Sequence, residues 1–201
     1  MTSSAREWQM IALNTMHMNL QRLYVFDRSR AMITGQAPDG ARIAALEGWM
    51  DAVGRAFGAA LDGRELDEDE QEALLPLVPW LSDEVGRYYD VHDPAASPRD
   101  QAAFGAAHVY AADAQTKGER QTAEAVGDES EADRLRQYAP MMMTLVQQAN
   151  AAVGVSAQGE PGEQERGFIA EHVRVALGDR PRVMLQVGAI PVMLAGRDPR
   201  D

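Results

Sequence analysis

Apolar residues recur every three or four positions along most of this chain, which is the spacing of one face of a helix. The clearest example runs through Ile43, Leu46, Met50, Val53, Phe57 and Leu61. No second strand is evident to pair with any strand-like segment. We therefore predict an all-α fold with a single bundle-like domain of six to eight helices, several of them kinked by proline.

Several helix starts are marked by residues that cap helices. Ser4 is followed three residues later by Glu7, which is the spacing of a capping box. Asp67 precedes three more acidic residues, and Ser97 precedes a proline, which is favoured in the first turn. Ser130 is predicted to cap a later helix. These signals give helix boundaries that the structure can test.

Four segments have a less regular pattern. Residues 118–129 are polar and weakly periodic; they fit a helix followed by a turn at Gly127 and Asp128, and mobility is expected there. Residues 154–162 are rich in Gly, Ser, Gln and Pro and are predicted to form a flexible loop. Residues 183–194 are apolar and fit either a kinked helix, which is favoured, or a short strand. A division into two domains near residues 95–98 is the main alternative to a single domain.

The chain contains no cysteine, which excludes disulfides, thiolate metal sites and thiol catalysis. Residues 1–7 lack the apolar region of a signal peptide, and the longest apolar stretch near the C-terminus is interrupted by Gly188 and Pro191. We therefore expect a cytoplasmic protein that does not enter a membrane. Eighteen of the nineteen basic residues are arginine, which is typical of a GC-rich, bacterial or phage-like genome.

Negative charge is concentrated in residues 62–100, which hold twelve of the thirty-one acidic residues and only three basic ones. An apolar run broken by two prolines, residues 74–81, lies inside this acidic segment. Three interpretations are open: a solvated face with carboxylates at a helix start, a surface that steers a basic protein partner, and a mimic of DNA. The net charge of −12 disfavours direct binding to nucleic acid or anionic lipid.

The leading hypothesis is a small protein-binding module of the inhibitor, immunity or adaptor type, with a basic protein partner. Leu77 and Trp80 are its predicted apolar anchors, because buried aromatic and apolar side chains dominate interface energies. Glu68, Asp69 and Glu72 are predicted to steer the partner through complementary charge.

The alternative hypothesis is an enzyme or ligand-binding protein with a pocket between helices, lined by Tyr88, Tyr89, His92 and His108. Four histidines are present, but none occurs in an H-E-x-x-H or E-x-x-H motif. No nucleophile elbow, phosphate-binding loop or dinucleotide fingerprint is present either. We therefore expect no metal and no cofactor, and an enzyme is the less favoured class.

A third hypothesis is a homo-oligomeric structural subunit that associates through the apolar segment 183–194. The triplet Met141, Met142 and Met143 cannot point to one side of a helix, so at least one of these residues is expected at the edge of the core or on a partner. No stretch of the chain carries a motif that identifies a protein family.

Overall fold

The computed structural model describes residues 4–91 and 95–200, which form seven helices and no strand. The helices are α1 (Ala5–Thr34), α2 (Gly40–Leu61), α3 (Glu68–Leu74), α4 (Leu77–Asp90), α5 (Pro98–Val126), α6 (Glu129–Gln158) and α7 (Glu163–Leu194). The predicted all-α fold is confirmed, and residues 183–194 are the helical end of α7. The predicted site residue His92 lies outside the described residues.

The predicted capping signals are confirmed at three helices. The Ser4 hydroxyl accepts a hydrogen bond from the Glu7 N–H at 3.3 Å, and the Glu7 carboxylate accepts one from the Ser4 N–H. Asp67 forms the same reciprocal pair with Glu70 at the start of α3, and Ser97 caps α5. Each cap satisfies backbone donors that the first helical turn leaves free. These helix starts therefore depend on contacts within four residues of sequence.

Two segments with weak sequence patterns are helical, the first in agreement with the prediction and the second, in part, against it. Residues 118–126 continue α5, because Gly118 is buried where the Asn14 side chain of α1 lies against the α5 backbone, and Ala123 is buried too. Of the predicted loop 154–162, residues 154–158 belong to α6, whose buried face includes Ser156. Burial against neighbouring helices here outweighs weak helix propensity.

Helix α6 begins earlier than predicted. Asp128 caps it by accepting a hydrogen bond from the Glu131 N–H at 3.0 Å, so Ser130 lies inside the first turn. Gly127 precedes the cap with a φ of 76°, a left-handed conformation that glycine adopts at low cost.

Helices α1 and α5 form the centre of the bundle and pack most extensively against each other. Helices α2 and α7 flank α1, α6 and α7 flank α5, and α4 packs against α7. A single hydrophobic cluster includes residues from all seven helices. Its largest fully buried side chains are Met10, Leu13, Met16, Leu20, Leu23, Leu46, Leu77, Leu81, Tyr89, Phe104, Ile190 and Leu194. Since the core contains both α1 and α7, the two ends of the chain stabilise each other.

Four aromatic rings meet in the interior between α1, α4 and α5. Phe104 stacks on Tyr88 with ring centroids 4.6 Å apart and an interplanar angle of 14°. Phe26 and Tyr89 each contact both of these rings edge to face. The Tyr88 hydroxyl donates a hydrogen bond to the Phe104 carbonyl at 3.2 Å. This cluster fixes α4 against α5.

Within residues 4–91 and 95–200, no helix combines the length and apolarity needed to span a bilayer.

Candidate functional site

Helix α3 is a seven-residue helix held on the surface mainly by its ends. Leu74 is its one buried residue. Just before the helix, the buried Leu66 N–H donates to the Gln9 side-chain oxygen at 2.9 Å, and the Gln9 amide donates to the Leu194 carbonyl at 3.2 Å. Gln71 donates from within α3 to the Leu66 carbonyl at 2.8 Å. These bonds connect α3 to α1 and to the end of α7, so its outer face has a defined position.

The structure divides the acidic segment 62–100 into paired and unpaired carboxylates. Four of them form ion pairs with arginines: Glu70 with Arg64, Glu84 with Arg42 and Arg87, Asp90 with Arg180, and Asp100 with Arg30. The pair with Arg64 holds the pKa of the Glu70 carboxyl below its usual value. Glu84 is buried, and its arginine partners offset the cost of burying its charge. The negative charge of these four carboxylates is therefore balanced by arginines within the protein.

The unpaired carboxylates concentrate on and around α3. Glu68, Asp69 and Glu72 are exposed and make no ion pair with any residue that the structure describes. The positive end of the helix dipole stabilises Glu68 and Asp69, which lie in the first turn, but Glu72 lies beyond it. Residues 62–75 contain seven acidic residues and one arginine, a net charge of −6. The helix start therefore explains only part of this charge.

One of the two predicted apolar anchors is placed differently from the prediction. Leu77 is fully buried in the core and presents no surface to a partner. The backbone turns between α3 and α4, where the Val78 N–H donates to the Leu75 carbonyl at 3.1 Å, and this turn changes which leucine faces inward. Leu75 is 42% exposed, and Trp80 is half-buried against the core. Leu75 and Trp80 are therefore the large apolar side chains of this segment that reach the surface.

Leu75 was not predicted from the sequence. Helical spacing is interrupted at the proline break, so it does not show which leucine of the run is exposed. Two prolines in residues 74–81 were the one signal that the face changes there. We call Glu68, Asp69, Glu72, Leu75 and Trp80 together the α3 surface.

The predicted ligand pocket is instead part of the core. The rings of Tyr88 and Tyr89 contact each other, and both tyrosines and His108 lie near the charge of Arg22, but all three residues are buried. Arg22 lies above both tyrosine rings, with its guanidinium carbon 5.8 Å from each ring centroid. Because α1, α4, α5 and α7 pack tightly around these side chains, they do not present an open binding surface.

The electrostatics of this buried cluster do not favour acid–base chemistry at neutral pH. Burial raises the pKa of the Tyr88 and Tyr89 hydroxyls. Burial, assisted by Arg22, lowers the pKa of His108 to about 4. The tyrosines are therefore protonated and His108 is neutral near pH 7. The sequence pattern gave no sign of Arg22, which is 3% exposed and donates a hydrogen bond to the buried Asn19 side-chain oxygen at 2.7 Å.

In the part of the chain that the structure describes, no three His, Asp or Glu side chains are grouped as a metal site would require.

The apolar segment 183–194, which the oligomer hypothesis places at a subunit contact, lies mostly in the core. Its residues Val183, Val187 and Ile190 are buried in the core, and only Leu185 among its large side chains is widely exposed. This face is therefore covered within the monomer.

The methionine triplet divides as predicted: Met142 is buried, whereas Met141 and Met143 are exposed.

No known protein family, curated protein or solved structure matches this chain.

Proposed function

We propose that this protein is a small acidic helical protein-binding module whose α3 surface docks on a basic surface of a protein partner. Action as an inhibitor, an immunity protein or an adaptor fits this arrangement. The observation that carries the proposal is the set of three exposed carboxylates, Glu68, Asp69 and Glu72, which have no arginine partner in the described part of the chain. Among the other acidic residues of segment 62–75, Glu70 is neutralised by its ion pair with Arg64.

The contacts that hold α3 in place support the proposal, because they lower the free-energy cost of binding. Association costs less free energy when the binding surface is already ordered, and the Gln9 and Leu74 contacts hold α3 in place before a partner arrives. Exposed carboxylates raise the rate of encounter with a basic partner, while apolar side chains provide the short-range contact. Leu75 and Trp80 provide apolar surface close in sequence to the carboxylates.

Replacing the three carboxylates together (Glu68→Gln, Asp69→Asn and Glu72→Gln) is expected to lower the association rate with the partner about tenfold at low ionic strength. The effect should shrink as salt is added, because salt screens exposed charges. Glu70 is left unchanged, since it pairs with Arg64 and completes the α3 capping box. The measurement is surface plasmon resonance over a salt series, with the partner isolated on the immobilised wild-type protein.

A matched control changes the same number of charges at another helix start: Glu160→Gln, Glu163→Gln and Glu165→Gln, before and within the first turn of α7. We expect this variant to bind the partner at close to the wild-type rate. If both variants slow association equally, net charge alone is responsible and the α3 surface is not the site. An unchanged rate and salt dependence in the α3 variant would contradict the proposal directly.

A further inference from the structure

A wide groove lies on a part of the bundle that the α3 surface does not include. It has a volume of about 890 Å³ and is formed by the second half of α1, the turn that leads to α2, and one face each of α5 and α6. Its walls are mainly apolar and aromatic, with Tyr24, Val25 and Met32 from α1, Tyr110 from α5 and Val153 from α6. The groove is open to solvent along one side, and its volume and mainly apolar lining fall within the range of sites that bind small organic molecules.

The groove has one distinctive charge. Among the described residues that line it, Arg28 alone is charged, and Arg28 makes no ion pair within the described part of the chain. The nearby carboxylates have partners other than Arg28: Glu47 accepts a hydrogen bond from the hydroxyl of the groove residue Tyr24 at 3.1 Å, and Asp113 pairs with Lys117 at 2.6 Å. The Arg28 guanidinium is therefore available to an anion.

We propose that this groove binds a small organic carboxylate with an apolar body, the carboxylate at Arg28 and the body along the walls from Val25 to Val153. A guanidinium pairs with a carboxylate through two parallel hydrogen bonds, which fixes the orientation of the ligand. Met32, which is 55% exposed at the groove, has the flexible and polarisable side chain that adapts to an apolar ligand. A cationic ligand finds no carboxylate in the lining and meets the charge of Arg28.

The test is isothermal titration calorimetry of the full chain with octanoate and decanoate, both kept below the concentrations at which they form micelles. Decanoate is expected to bind about tenfold more tightly than octanoate, because it buries two more methylene groups. Decyltrimethylammonium, with a chain of the same length and the opposite charge, is expected to bind much more weakly. This comparison separates binding by charge and shape from a general affinity for alkyl chains.

Two variants locate the site. Arg28→Gln is expected to weaken decanoate binding about fivefold, as for loss of a solvent-exposed ion pair. Met32→Glu is expected to weaken it about tenfold, because it replaces apolar lining with a like charge. Arg55→Gln, an exposed arginine of α2 outside the groove, makes the same change in net charge as Arg28→Gln and should bind decanoate like the wild type.

Absence of saturable decanoate binding to the wild-type protein would overturn the proposal. Equal affinities for the wild type, Arg28→Gln and Met32→Glu would also overturn it, as would equal binding of decyltrimethylammonium. The α3 variant described above should bind decanoate normally, since none of its substituted residues lines the groove. Failure of the partner-binding proposal and failure of this one are therefore distinguishable.

Discussion

Replacing Phe104 with alanine is expected to lower the free energy of unfolding by about 3–5 kcal/mol. Phe104 is fully buried, stacks on Tyr88 and contacts Phe26 and Tyr89 edge to face. Truncation removes buried apolar surface and leaves a cavity at the junction of α1, α4 and α5. The surrounding helices are tied by other contacts and can close this cavity only in part. Urea unfolding followed by circular dichroism measures the change.

Leu185→Ala is the control for this prediction. Leu185 is also a large apolar residue on a helix, but it is 76% exposed, so its truncation should change stability by less than about 0.5 kcal/mol. A loss of less than about 1 kcal/mol for Phe104→Ala would contradict the packing described for the aromatic cluster.

Acidification from about pH 7 to about pH 5 is expected to remove about 2 kcal/mol of stability through His108 alone. Burial lowers the pKa of His108 to about 4 in the folded protein, whereas an unfolded histidine titrates near about 6.5. The unfolded chain therefore binds the proton first. The stabilisation is fully present above the unfolded pKa and is lost as the pH falls toward the folded pKa.

The charged groups around His108 have opposing effects on its pKa. Arg22, His172 and Arg182 lower its pKa, while Asp179, 4.0 Å from the His108 ring nitrogen, raises it. The lowering by burial is the largest of these effects, so protonation of His108 in the folded state is unfavourable.

His108→Leu is the variant that isolates this effect. Its unfolding free energy, measured by urea titration at several pH values, should fall by about 2 kcal/mol less than that of the wild type between about pH 7 and about pH 5. Some pH dependence should persist, because burial also lowers the pKa of His17. A slope identical to the wild type would show that His108 is not protonated more readily in the unfolded chain.

The helix starts were predictable because capping is a local interaction. Ser4 and Glu7 are three residues apart, as are Asp67 and Glu70, and each pair satisfies backbone groups within a single turn. The all-α class follows for the same reason, since helical spacing of apolar residues depends on near neighbours in the sequence. Helix lengths were less predictable. Buried Ala123 and Ser156 keep α5 and α6 helical through stretches with weak local preference.

The candidate sites were predicted only in part. Exposed carboxylates on α3 follow from a polar helix start, but the sequence did not separate Leu75 from Leu77, because the turn between α3 and α4 changes the buried face. The groove residues Tyr24, Arg28, Tyr110 and Val153 were not predicted at all. They belong to three helices that are distant in sequence, and no local spacing brings them to the same place.

The sequence by itself determined the helical class, most helix starts and the excess of negative charge before and within α3. These properties depend on hydrogen bonds and side-chain spacing within a few residues. Only the tertiary structure decided which carboxylates are neutralised, since Glu84 finds Arg42 and Asp90 finds Arg180 across the bundle. The burial of His108 with Arg22 was likewise decided there, because burial is a property of packed helices and is not encoded in any single segment.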